Sequence, residues 1–233
     1  MYKKIGIIGA MDIEVEKLLS LLENKKMKKY GLTTFYYGSL KNKEVVICKC
    51  GIGKVNSTIA TQMLIDNFQV DTILNTGVAG AIENKLNICD LVISSDLVQH
   101  DFDTSVTGDV RGVVCGFDVD SFSADKYLIE TLDKACKKIL TNHKHYIGRI
   151  ATGDQFICDA TIKNDIKDFT SAYCVEMEGG AIAQTCYVNQ IPFVVLRSIS
   201  DKADDSASMS FSDFVKEAAE VSANCVFAFL ELL

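Results

Sequence analysis

The sequence predicts an α/β fold around a largely parallel sheet, and three observations carry that expectation. Short β-branched runs such as Ile5-Gly6-Ile7-Ile8 alternate with stretches whose apolar residues recur at helical spacing. The alternation continues along the chain with one proline, Pro192, and no Ser/Gly-rich linker, repeat or low-complexity tract. Finally, 233 residues that are 48% hydrophobic and 24% charged suit one domain, 1–233, with a sizeable core.

Taken in order, Ile5 to Ile8 reads as the first strand, and Asp12 to Leu22 as a helix with Val15, Leu18, Leu19 and Leu22 on one face. Phe35 to Leu40 and Val45 to Cys50 form a hairpin around the polar turn Lys41-Asn42-Lys43. Asn56 to Phe68 is helical, Thr72 to Leu74 a buried strand, and Asp90 to Val98 another. His100 to Phe122 lacks periodicity and reads as a long loop, a kind of segment that is usually functional when ordered. Ser123 caps a helix with Leu128, Leu132, Cys136 and Leu140 on one side. Ile147 to Ala151 is a strand, Glu178 to Val188 a helix and Phe193 to Ile199 a strand. The closing helix, from about Ser212, carries Val215, Ala218, Val221, Cys225 and Phe229 on its apolar side.

Composition excludes some functions. With 24 Lys+Arg against 31 Asp+Glu, the net charge of -7 disfavours nucleic acid or an anionic membrane as the main partner. Nine cysteines form an odd, irregularly spaced set without metal-site spacing, which suggests free thiols in a reducing compartment. The first residues resemble a strand rather than a signal peptide, and no apolar run reaches the roughly 18 residues of a membrane span. A cytoplasmic, soluble protein without metal or cofactor is the expectation.

Ligands of open α/β sheets sit beyond the carboxyl ends of the strands. The segments there are Ile7-Ile8-Gly9-Ala10-Met11 with Glu14, Gly51-Ile52-Gly53-Lys54, Asn75-Thr76-Gly77, Gly153-Asp154-Gln155-Phe156-Ile157, Val175-Glu176-Met177-Glu178 and Arg197-Ser198-Ile199-Ser200-Asp201. None completes a Walker A loop or GxGxxG, so triphosphate or dinucleotide binding is not expected. In this order the six segments resemble the 5′-methylthioadenosine/S-adenosylhomocysteine nucleosidases of the nucleoside phosphorylase superfamily, over nearly the whole chain. The resemblance implies a three-layer sandwich with a central mixed, largely parallel sheet flanked by helices (nucleoside phosphorylase-like). It also implies a homodimer that hydrolyses an adenosine thioether with water as co-substrate.

Breaking that N-glycosidic bond requires a proton for the departing adenine and an activated water opposite, across an oxocarbenium-like transition state. The resemblance assigns the acid to Asp201, with Ser200 orienting it, and the base to Glu14. Alone, Asp201 reads as a cap or turn aspartate, and Glu14 as a charge in a first helical turn. Glu178 is implied to bind the ribose hydroxyls, with Met177 packed on the sugar; Glu176 competes for that role or is a surface carboxylate. The resemblance also implies that Phe156 stacks on adenine and Ile157 offers backbone groups to it; alone, an aromatic beside an aliphatic residue reads as core. Met11, Ile52 and Phe211 line the alkylthio pocket or belong to the core. Arg197 orients Glu14 or the water, or forms a strand-end salt bridge. Several carboxylates in one partly dry cavity should raise at least one pKa, giving a bell-shaped pH–rate profile.

Phosphorylases of the same superfamily need Arg and hydroxyl donors for phosphate. Asn75 and Val78 stand where hexameric bacterial phosphorylases carry Arg and Ser, so hydrolysis is favoured. Val78 also replaces the Ser of many nucleosidases, and Asp101 to Phe117 lacks their aromatic and proline-containing stretch. 5′-Deoxyadenosine is a further implied substrate. Competing readings are an aminodeoxyfutalosine nucleosidase, which Gln155, Cys158 and Val78 suggest, a purine nucleoside phosphorylase, and a non-catalytic nucleoside sensor.

Overall fold

Every residue from Ile5 to Gly9 in β1 (Lys4–Gly9) is buried, which suits a central strand covered on both faces. In the computed structural model, which describes residues 2–233, β1 lies parallel to β4 (Lys43–Lys49) and β5 (Thr72–Ala81). Antiparallel β3 (Thr33–Leu40) and β2 (Glu23–Tyr30) continue the sheet to its edge. On the other side β5 adjoins β9 (Cys174–Glu176), then β8 (His145–Thr152), β6 (Leu91–Gln99) and β10 (Phe193–Asp201). The short β7 (Phe122–Ser123) pairs with β6.

Half of this ten-stranded mixed sheet closes on itself, because β10 bonds to β5 as well as to β6. Helices α1 (Asp12–Leu21), α3 (Lys126–Ile139) and α6 (Ala207–Leu232) cover one face through Leu18, Leu132, Val226 and Phe229. Helices α2 (Lys54–Phe68) and α5 (Gly179–Asn189) cover the other through Leu64 and Ile182. Helix α4 (Ala160–Thr170) packs Ile166 into a smaller cluster. These three layers are the expected sandwich. Among the described residues no helix is long and apolar enough to cross a membrane.

Several boundaries differ from the sequence reading. Strand β2 carries no alternation that would announce it: its residues are almost all exposed, and its lysines suit a sheet edge that must resist further pairing. Helix α3 is capped by Asp125, whose Oδ1 accepts from the Leu128 N–H at 2.9 Å, rather than by Ser123. Asp159 similarly caps the unforeseen α4. Helix α6 begins at Ala207, one turn before Ser212, and so includes Phe211. Asn75 to Gly80 is strand, not loop, and β10 continues to Asp201. These two extensions build the site.

Candidate active site

The carboxyl ends of β1, β5, β9 and β10 open into one cleft. Met11, Glu14, Ile52, Val78 and Arg197 line it. So do Phe156 and Ile157, Glu176 to Glu178, Ser200 with Asp201, and Phe211 from α6. The structure therefore brings every candidate residue named above to one surface.

Glu14 occupies the third position of α1, where a carboxylate can reach back to the helix start. Its Oε2 accepts from the Ala10 and Met11 N–H groups at 2.7 and 2.9 Å, and Oε1 from the Val78 N–H at 3.0 Å. Far from the solvated charge a first helical turn suggests, Glu14 is only 2% exposed. Burial raises its pKa, against the opposing pull of Arg197 and the three backbone donors. A β-carbon at Gly77 would lie 2.5 Å from both Glu14 Oε1 and Arg197 Nη1, so glycine there admits both groups.

Arg197 is fully buried, and its hydrogen bonds bypass Glu14. Nη2 donates to Glu176 Oε2, to Asn75 Oδ1 at 2.7 Å and to Glu178 Oε2 at 3.3 Å; Nη1 donates to the Val78 carbonyl at 3.2 Å. The strand-end salt bridge is thus real, and Arg197 bears on Glu14 through charge and through Val78. Glu176, far from being a surface carboxylate, is enclosed: Oε1 accepts from Thr152 Oγ1, and Oε2 from the N–H groups of Glu178 and Gly179 at 3.0 and 2.7 Å. It holds Arg197 and the start of α5 together, which leaves little capacity for a ligand.

Glu178 is less committed. Its Oε1 accepts from the Gly53 N–H at 2.9 Å, and its other oxygen has only the long contact with Arg197. Burial, outweighing the attraction of Arg197, pushes its pKa from 4.5 up to about 7.

Asp201 stands at the end of β10, after a register shift between Ile199 and Asp201. Such a bulge redirects a side chain at a sheet rim. Ser200 Oγ donates to Asp201 Oδ2 and the Ala203 N–H to Oδ1, each at 2.9 Å, the second being the bond of a turn aspartate. Asp201 is 2% exposed, and burial again raises its pKa despite these two donors. Gly80 leaves it room, since a β-carbon there would lie 2.7 Å from Oδ1.

The mouth is apolar. Phe156 meets Phe211 edge to face, with ring centres 5.6 Å apart at 82°. Phe156 and Ile52 are about half exposed, whereas Ile157 is buried. Below them Lys54 Nζ contacts Asp101 Oδ1 at 2.7 Å, while Asp101 Oδ2 and Asp154 Oδ1 accept from the N–H groups of Asp154 and Lys54. Three loops are thereby pinned around Gly53.

Sequence reasoning missed the residues that support the site: the Ala10 and Gly53 N–H groups, Thr152, and Asn75, which joins Arg197 to the Ile8 carbonyl at 2.9 Å. Asn75 offered a signal, being a polar residue after an apolar strand run. The backbone donors offered none, because every residue except proline has one.

This frame is that of the phosphorylase superfamily, whose sequence model matches residues 4–231, and the chain belongs to it. Over 230 residues it is 42% identical to the 5′-methylthioadenosine/S-adenosylhomocysteine nucleosidase of Staphylococcus aureus strain JH9, spanning 98% of this chain and all of that one. That likeness places it in the nucleosidase family. Its fold matches that of the corresponding Neisseria meningitidis nucleosidase in complex with methylthio-immucillin-A, with TM-score 0.96, 36% identity, and 99% and 100% of the two chains covered. A futalosine hydrolase of Helicobacter pylori matches at TM-score 0.94 and 34% identity, over 99% and 98% of the chains.

Proposed function

We propose that this chain hydrolyses the N-glycosidic bond of 5′-methylthioadenosine and S-adenosylhomocysteine, and of 5′-deoxyadenosine, releasing adenine and the 5′-substituted ribose. The observation that carries the reading is that buried Glu14 and Asp201 line one cleft. Burial shifts Asp201 toward its protonated form, the form that delivers a proton to N7 of adenine, with Ser200 orienting the carboxyl. Glu14, held by three backbone donors, keeps an oxygen lone pair for a water and takes its proton as the water attacks the anomeric carbon. Fixed donors of this kind need no rearrangement as charge develops. Glu178 receives the ribose hydroxyls and Met177 packs on the sugar. Phe156 stacks on the adenine while Ile157 meets its edge, and Met11, Ile52 and Phe211 surround the alkylthio group, a tail that polarizable Met suits.

The charge balance favours water over phosphate. Four carboxyl groups line the cleft, and the only cation among its lining residues is Arg197, already bonded to Glu176 and Glu178. Such a site stabilises an oxocarbenium ion and repels a phosphate dianion. The test is adenine release from methylthioadenosine with and without phosphate. Equal release in both supports hydrolysis; release only with phosphate overturns it, and none in either points to a sensor or another substrate.

A second reading, hydrolysis of aminodeoxyfutalosine, draws on the Helicobacter pylori relative and on a mouth whose apolar residues are half exposed. Faster release from that nucleoside than from methylthioadenosine would favour it. We also place the protein as a homodimer in the cytoplasm. Val55 and Ile59 on α2, with Tyr187 and Val188 on α5, give two adjacent helices an exposed apolar face that a second copy would cover, and nine free thiols fit a reducing compartment.

A further inference from the structure

We propose that Cys89, His143 and Glu217 form a binding site for a divalent transition ion of the zinc class, separate from the cleft. The three are remote in the chain, so no spacing in the sequence reveals them. In the fold, one donor atom from each lies within 4.8 Å of the others. A thiol, an imidazole and a carboxylate form a donor set that suits zinc, with a fourth position left for water. At zinc bond lengths the ligand atoms of a tetrahedral site lie about 3.3–3.8 Å apart, so closure requires movement of the order of 1 Å. Glu217 is exposed on α6 and His143 half-buried in the turn before β8, so both can adjust by rotation.

The scaffold for these ligands exists without an ion. Asp90 accepts from the Lys144 N–H at 2.8 Å and the Asn87 N–H at 2.9 Å, and the Leu91 N–H donates to the Lys144 carbonyl at 2.9 Å. These bonds clamp the His143 turn beside Cys89. Cys89 itself adopts φ 65°, a conformation that favours glycine, and its N–H donates to the Ile199 carbonyl at 2.8 Å. His145, two residues beyond His143, is by contrast committed to Asp133 at 2.8 Å.

The site adjoins the catalytic machinery. Cys89 shares an apolar cluster with Val78, Ala218 and Ala219, and Phe211 packs against it. An ion bound here ties α6, which carries Phe211, to the start of β6 and to the turn before β8. On binding, the Cys89 thiol loses its proton to solvent and the metal–sulfur bond takes its place, so affinity falls as pH falls.

Cobalt(II) titration of the full-length, chelator-stripped protein tests the proposal. One equivalent should produce a thiolate-to-cobalt absorption band that zinc displaces. Cys89→Ser should abolish the band and His143→Ala weaken binding roughly tenfold or more, while Cys115→Ser and Cys158→Ser, at the two exposed thiols, leave it intact. At the same zinc concentration Tm should rise for the wild type and by less for His143→Ala, a half-buried site whose truncation spares the core. Absence of the band, its survival in Cys89→Ser, or its loss in either exposed-cysteine variant overturns the site.

Discussion

The floor of the cleft and its rim are built by opposite means. On the floor Glu14, Arg197, Glu176 and Asp201 are at most 5% exposed, and each is held by backbone donors or acceptors or by neighbouring side chains. At the rim Phe156 and Ile52 are about half exposed, and Phe156 meets Phe211 edge to face. The difference separates two requirements. Chemistry on a developing charge needs dipoles fixed in advance and shielded from water, whereas recognition of an apolar tail tolerates an adjustable surface.

Breaking the floor should have the larger effects. Arg197→Met leaves Glu176 and Glu178 buried without their cation, so denaturant titration should show a loss of about 3–5 kcal/mol. A loss under about 1 kcal/mol would mean that the carboxylates simply take up protons.

Asp201→Asn keeps the shape and removes the proposed acid. We expect kcat to fall about 10²- to 10⁴-fold while the affinity for a substrate analogue by calorimetry stays nearly constant. Retained turnover would remove Asp201 from proton delivery.

Glu178→Gln probes the electrostatics through pH. Glu178 titrates at about 7 folded against an ordinary 4.5, so its neutral form favours the fold. That contribution is complete below about 4.5 and is lost as pH rises to about 7. The variant should therefore match the wild type at low pH and exceed it by about 1–3 kcal/mol at pH 8 in denaturation midpoints, while losing substrate affinity.

At the rim, Phe156→Ala should raise KM about tenfold, change kcat little and leave stability within about 0.5 kcal/mol. A large fall in kcat instead would show that the rim also orders the floor.

Local pattern made much of this molecule legible. Periodicity located α1, α3 and most of α6, and apolar runs located β1 and the starts of β5 and β10. Exposed β2 escaped because a lysine-rich edge has no buried face to impose alternation. Asn75 to Gly80 read as a loop because its glycines and polar side chains look like turn chemistry; they are small and polar to fit against Glu14, Arg197 and Asp201. Val78 shows the same limit, since its backbone N–H and carbonyl, which no side chain advertises, hold both Glu14 and Arg197.

The order of residues by itself determined the α/β alternation, the acidic balance and the family whose motifs the chain carries, because these depend on neighbours along the chain. Only the tertiary structure decided that Arg197 binds Glu176 while Glu178 stays available, that one cation faces four carboxyls, and that Cys89 meets His143 and Glu217. Desolvation, ion pairing and ligand geometry follow distances of a few ångströms in space, and those distances exist only once remote segments have packed.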